Sequence, residues 1–156
     1  MQSISDSATK LNITDESDSG FLVLVSMAQV CIEIRNFVTA QQKKFGAKFV
    51  TNYHSVTQCE GQPFLWNESI SIKNESNDVV TWDMTCCREI NDWRVYGGIF
   101  VARHDLDYEI EIHSFPENDD LKSSKDLLVA LEHLVSEVKA SIESRDISSW
   151  VELSKT

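Results

Sequence analysis

Between Ala47 and Phe115 apolar side chains recur at every second position, whereas on either side of that region they recur at every third or fourth. A period of two puts alternate side chains on opposite faces of a strand, and a period near 3.6 lays one stripe along a helix. The chain must therefore bury two helical stripes and one face of a sheet in a common core. That predicts an α+β domain: a long N-terminal helix, a five-stranded antiparallel meander, and a long C-terminal helix packed on the sheet. With 156 residues, 42% of them hydrophobic, the chain is the right size for one domain and too apolar to stay disordered.

The first helix is expected from about Ser19 to Phe45, where Val23, Met27, Val30, Ile34 and then Phe37 or Val38 form one stripe. Gly46 supplies its stop, and Lys43 and Lys44 complement the negative end of its dipole. A short strand over Phe21 to Val25 is the competing assignment, since a bare apolar run does not separate helix from strand. The last helix is expected to begin at Ser123 or Ser124, with Asp126 near a capping-box position. It carries Leu127, Leu131, Leu134, Val138 and Ile142 on one face, widened by Leu128 and Val135. Asp146 is placed to cap a further short turn that brings Trp150 and Leu153 back to the body. Residues 1 to 18, rich in Ser, Asp and Thr, read as a flexible or loosely docked segment, and 19 to 156 as the single domain.

Four turns divide the central region, at 60–63, 74–78, 89–92 and 104–105. Connections this short join antiparallel neighbours. Alternation then assigns core faces: Phe64, Trp66, Ile70 and Ile72; Val80, Trp82, Met84 and Cys86; Val95, Ile99 and Val101; Leu106, Tyr108, Ile110 and Ile112. Trp66, Trp82, Ile99, Val101, Tyr108, Ile110, Leu131 and Leu134 are expected to be buried.

Acidic residues number 25 against 14 basic ones, a formal charge of -11. Such a chain is repelled by a phosphate backbone or an anionic membrane, so neither nucleic acid nor membrane is an expected partner. A protein with a basic surface is. The apolar run Phe21 to Ile32 follows acidic residues and is shorter than the ~20 residues a bilayer needs, so it reads neither as a signal sequence nor as an anchor. Cys31, Cys59, Cys86 and Cys87 contain no C-x-x-C pair, which points to reduced thiols and a cytoplasmic setting. The three Asn-x-Ser/Thr triplets, at Asn12, Asn67 and Asn74, then count as chance. No cofactor and no metal-ligand spacing is expected.

The strongest local feature is the fifth strand, where alternation sets Asp107, Glu109, Glu111 and His113 on the face opposite the apolar side chains. Were His104-Asp105 a two-residue turn, Phe100 would lie opposite Glu109, Gly98 opposite Glu111 and Tyr96 opposite His113. These seven residues make up the candidate binding surface. Residues two apart on a strand are roughly 7 Å apart, too far for all four polar groups to hold one ion. The simpler assignment is a solvated strand face. Gly97-Gly98 in mid-strand marks either a bulge or a close backbone approach.

The G-x-S-x-G, P-loop, H-E-x-x-H and G-x-G-x-x-G templates are missing from the sequence. Cys59 with His54 or His113 could form a thiol–imidazole pair, though nothing in the spacing requires it. His54 shares a side with Val50 and Val56, and His133 lies at the border of the last helix's stripe, both as packing residues.

Two function classes remain. One is a small acidic interaction protein that docks, inhibits or escorts a partner. The other is a small-molecule domain or enzyme with a cavity between sheet and helices lined by Trp66, Trp82, Trp93 and Tyr108. In element order and charge alone the chain resembles small acidic secretion chaperones and bacterial immunity proteins. No residue motif matches either, so that likeness transfers no site. An outer sheet face bearing Tyr96 and Phe100 leads us to expect a homodimer.

Overall fold

A computed structural model of the chain describes residues 19–57, 64–88 and 92–156. Its elements in order are α1 (Ser19–Phe45), β1 (Val50–Thr57), β2 (Leu65–Lys73), β3 (Val79–Arg88), β4 (Trp93–Ala102), β5 (Glu109–Ser114), β6 (Asn118–Leu121), α2 (Ser124–Ser144) and α3 (Ile147–Leu153). This is the expected α+β order, with one strand more. The tail at 1–18, Cys59, the turn at 60–63 and most of the turn at 89–92 lie outside the described residues.

The sheet runs β1-β2-β3-β4-β5, each neighbour antiparallel. Its register stacks side chains into rows across the strands. Val50, Ile72, Val80, Val101 and Ile110 form one row, and Val56, Trp66, Cys86 and Val95 another. Trp66, Trp82, Ile99 and Val101 are buried as expected. Every buried apolar strand residue shares this face, so the helices do not enclose the sheet; all lie on one side of it. The opposite side, with Asn67, Ser69, Ser71, Thr81 and Asp83, stays half-exposed.

Onto the apolar face α1 places Met27, Val30, Ile34 and Val38, and α2 places Leu127, Leu131, Leu134 and Val138. Each such side chain contributes about 1.5–3 kcal/mol when fully buried. Two polar links fix the helices: Trp82 Nε1 donates to Ser141 Oγ at 3.0 Å, and Lys139 Nζ meets Glu33 Oε1 at 2.9 Å.

The helix ends follow local chemistry. Gly46 has φ 100° and its N–H donates to Gln42 O at 2.9 Å, the left-handed stop that glycine adopts without strain. Ser123 Oγ accepts from Asp126 N at 3.1 Å, and Asp146 Oδ1 from Ser149 N at 2.7 Å. Trp150 reaches the core edge-on to Trp82, with centroids 6.0 Å apart. Leu153, expected beside it, is exposed; Val151 is buried instead.

The end of the sheet departs from expectation in three ways. First, His104-Asp105 is not a two-residue turn. Asp78 Oδ1 accepts from the backbone N–H of His104 at 2.9 Å and lies 2.7 Å from its Nδ1, tying a wider loop to the β2–β3 turn. β5 therefore starts at Glu109, Tyr108 is left in the loop at 63% exposure, and Ile110 is only half-buried. Second, a register shift on β5 pairs Phe100 with Glu111 but Ile99 with His113, so Ile112 is an extra residue. Third, Pro116 has no N–H to offer the ladder, and beyond it β6 resumes pairing along β4 at Val95–Asn118 and Trp93–Leu121. Gly97 is the close approach expected from the glycine pair: a Cβ there would lie 2.3 Å from Asp83 O on β3.

Candidate functional site

The structure divides the predicted acidic strand face. Glu109 and Glu111 are exposed on the outer side, opposite Ala102 and Phe100. Because the bulge intervenes, His113 leaves their phase and its ring meets Phe115 edge-on at 5.1 Å. Asp107 sits in the loop, exposed. Gly98 pairs with Ser114, and His113 pairs with Ile99 and not with Tyr96, so neither Gly98 nor Tyr96 faces the residue expected of it. Tyr96 lies under the Arg94 guanidinium at 5.5 Å. What survives is a charged edge. Residues 105 to 120 hold seven carboxylates, all exposed, and no Lys or Arg. Asp105 pairs with Arg103 and Glu117 with Arg94.

A second cluster was not anticipated. On β2 the core-facing positions 66, 68, 70 and 72 are apolar except for Glu68, which is buried at 1% exposure. A buried carboxylate is costly unless it is hydrogen-bonded and paired. From β1, Asn52 Nδ2 donates to Glu68 Oε1 at 2.7 Å, and His54 Nδ1 lies 2.5 Å from Oε2. From α1, Cys31 Sγ lies 3.7 Å from His54 Nδ1 and 3.9 Å from Glu68 Oε2. Helix stripe and strand row thus meet at one point. Burial pushes the Cys31 thiol up, and the Glu68 carboxylate adds to this, against the opposing pull of the Trp66 indole and Arg35. The Trp66 N–H is itself buried and directed toward the Cys31 sulfur, with no partner within hydrogen-bond distance.

A nucleophile–base–acid relay needs the two nitrogens of the imidazole, one toward each partner. Here Nδ1 faces both thiol and carboxylate, so the three groups converge on a point instead of forming a chain. Sequence reasoning had singled out Cys31 and His54 separately and looked to Cys59 for a thiol. The available signal was Glu68, a lone acid at a core position of an alternating strand.

Other expected residues are structural or exposed. His133 is exposed, not semi-buried, 3.4 Å from Glu137. Cys86 is buried, which pushes its thiol up to about 12, while Cys87 on the opposite face is half-buried. Trp66 and Trp82 lie fully inside the core and Trp93 packs edge-on against Phe64 at 5.5 Å, but Tyr108 stands outside, so these four do not line a common interior. Among the described residues no helix is long and apolar enough to cross a membrane. Compared with family models, curated proteins and solved structures, the chain matches none.

Proposed function

We propose that this chain is a small acidic binding protein that acts without catalysis, docking a protein partner with a basic surface through its β5–β6 edge. The observation that carries this is the run of seven exposed carboxylates between 105 and 120 without a Lys or Arg among them. Charge on an edge strand also blocks unwanted strand addition, and that protective role is compatible with docking. Long-range attraction adds to it by raising the rate of productive encounter. Inhibiting, immunity-like and escort roles are all forms of such docking. Among the described residues Cys31 and Cys86 are held in no disulfide, which supports a cytoplasmic setting.

The test uses the wild-type chain and the Glu109→Gln/Glu111→Gln variant as baits in extract of the native host at low and high salt. A partner held by the wild type, released by salt and lost with the variant supports the proposal. One retained equally by both baits contradicts it.

Self-association belongs to the same proposal. The outer sheet face carries exposed Tyr53, Leu65 and Tyr96 with Phe100, and a two-fold contact would cover them with a second copy. Sedimentation should show a dimer that Tyr96→Glu disperses; a wild-type monomer at tens of micromolar, a concentration chosen for the test, would count against this part.

A further inference from the structure

We propose that Cys31, His54 and Glu68 form a three-ligand site for a divalent ion of zinc's class, with the fourth coordination position open to solvent beside His54. The site lies at the β1 edge, across the sheet from the acidic edge, and does not depend on the docking proposal.

Geometry comes first. The three donor atoms lie within 4.8 Å of one another, the one such group among the described residues. At a tetrahedral zinc with Zn–S about 2.3 Å and Zn–N or Zn–O about 2.0–2.1 Å, sulfur stands about 3.6 Å from the other donors. The sulfur here is 3.7 Å from Nδ1 and 3.9 Å from Oε2, so those two edges are already formed. The third is short: Nδ1 and Oε2 are 2.5 Å apart, the separation of a shared proton. An ion in place of that proton would open the pair to about 3.4 Å. The His54 ring, 45% exposed, has room to make that movement.

The surroundings fit the same assignment. Asn52 holds Oε1 of Glu68 and so presents Oε2 inward, the outer-shell orientation typical of ligating carboxylates. The second observation is Trp66: its side chain is fully buried, and its N–H, directed toward Cys31, has no partner within hydrogen-bond distance. A thiol gives that donor little to bind, whereas a metal-bound thiolate carries a lasting negative charge for it. Thiolate, imidazole and carboxylate together suit zinc and its neighbours and disfavour calcium or magnesium, which take oxygen ligands. Binding displaces the Cys31 thiol proton to solvent, and the proton between His54 and Glu68 gives up Nδ1, passing to Nε2 of a neutral ring or to solvent from a charged one.

The experiment titrates the untagged, reduced, metal-stripped full chain with Co2+ and then displaces it with Zn2+. The expected result is saturation at one equivalent, with a thiolate-to-cobalt charge-transfer band and tetrahedral d–d absorption, both erased by one equivalent of zinc. Cys31→Ser should lose the charge-transfer band while circular dichroism stays native. Glu68→Gln and His54→Gln should weaken zinc binding at least tenfold, and Trp66→Phe should weaken it less and shift the band. Weak, non-saturating uptake of several ions overturns the assignment, as does a charge-transfer band that survives in Cys31→Ser. If Cys31→Ser does not fold, the decision passes to His54→Gln, altered at a half-exposed ring: zinc affinity equal to wild type overturns the site.

Discussion

Oε2 of Glu68 lies 2.5 Å from Nδ1 of His54, yet 2% of the glutamate side chain meets solvent against 45% of the histidine's. The pair is therefore asymmetric. Removing the histidine strands a buried acid, while removing the acid leaves an imidazole that water can serve. His54→Ala should cost about 1–3 kcal/mol, the penalty for a buried polar group left without its partner. Adding Glu68→Leu should recover most of that loss, because a well-packed apolar side chain replaces a buried pair at little cost. Urea unfolding of the two variants checks this; a single variant within half a kcal/mol of wild type, a margin set by ordinary surface substitutions, would contradict it.

Ile99 and Ile110 separate the deep core from its margin. Both are isoleucines on adjacent strands, but Ile99 is buried at 1% exposure and Ile110 is half-buried. Ile99→Ala should cost about 2–5 kcal/mol, and Ile110→Ala clearly less, since a site open to solvent loses less transfer energy and leaves no closed cavity. Equal losses in thermal or urea unfolding would contradict the marginal position of Ile110.

Acid should loosen the tie between the β2–β3 turn and the β4–β5 loop. Burial acts to raise the pKa of Asp78, but the His104 N–H, the Asn74 amide and the His104 ring outweigh it and hold the carboxyl at about 2, below its ordinary 3.8. A folded-state value below the unfolded one stabilises the fold above the unfolded pKa. That stabilisation is lost as pH falls from about 4 through about 2, and amounts to on the order of 2 kcal/mol. Unfolding free energy measured from pH 5 down to pH 2 should fall more steeply for the wild type than for Asp78→Asn. Parallel curves would mean that Asp78 titrates alike in both states.

Much of this fold is written locally. Gly46, Ser123 and Asp146 end or begin helices through their own conformational and capping chemistry, so their positions follow from sequence alone. The faces of Trp66, Trp82, Ile99 and Val101 follow from alternation. What escaped was non-local. The β5 register depends on Asp78 and His104 meeting across 26 residues, and the Asn-Asp-Asp-Leu of β6 has no alternation to mark it as a strand. The polar cluster joins Cys31 to Glu68 across 37 residues, and only the fold brings helix and strand together there. Its one legible sign was Glu68 at a core position between Trp66 and Ile70.

The docking account is tested most directly by association kinetics. With the captured partner immobilised, the association rate of the wild type and of Glu109→Gln/Glu111→Gln is measured over a range of salt concentrations. Exposed charges act over a screening length of about 8 Å at physiological ionic strength, so they govern the encounter more than the settled complex. The account predicts that the double variant associates more slowly and with a flatter salt dependence, while its dissociation rate and thermal midpoint stay at wild-type values. An association rate and salt slope unchanged from wild type would contradict it.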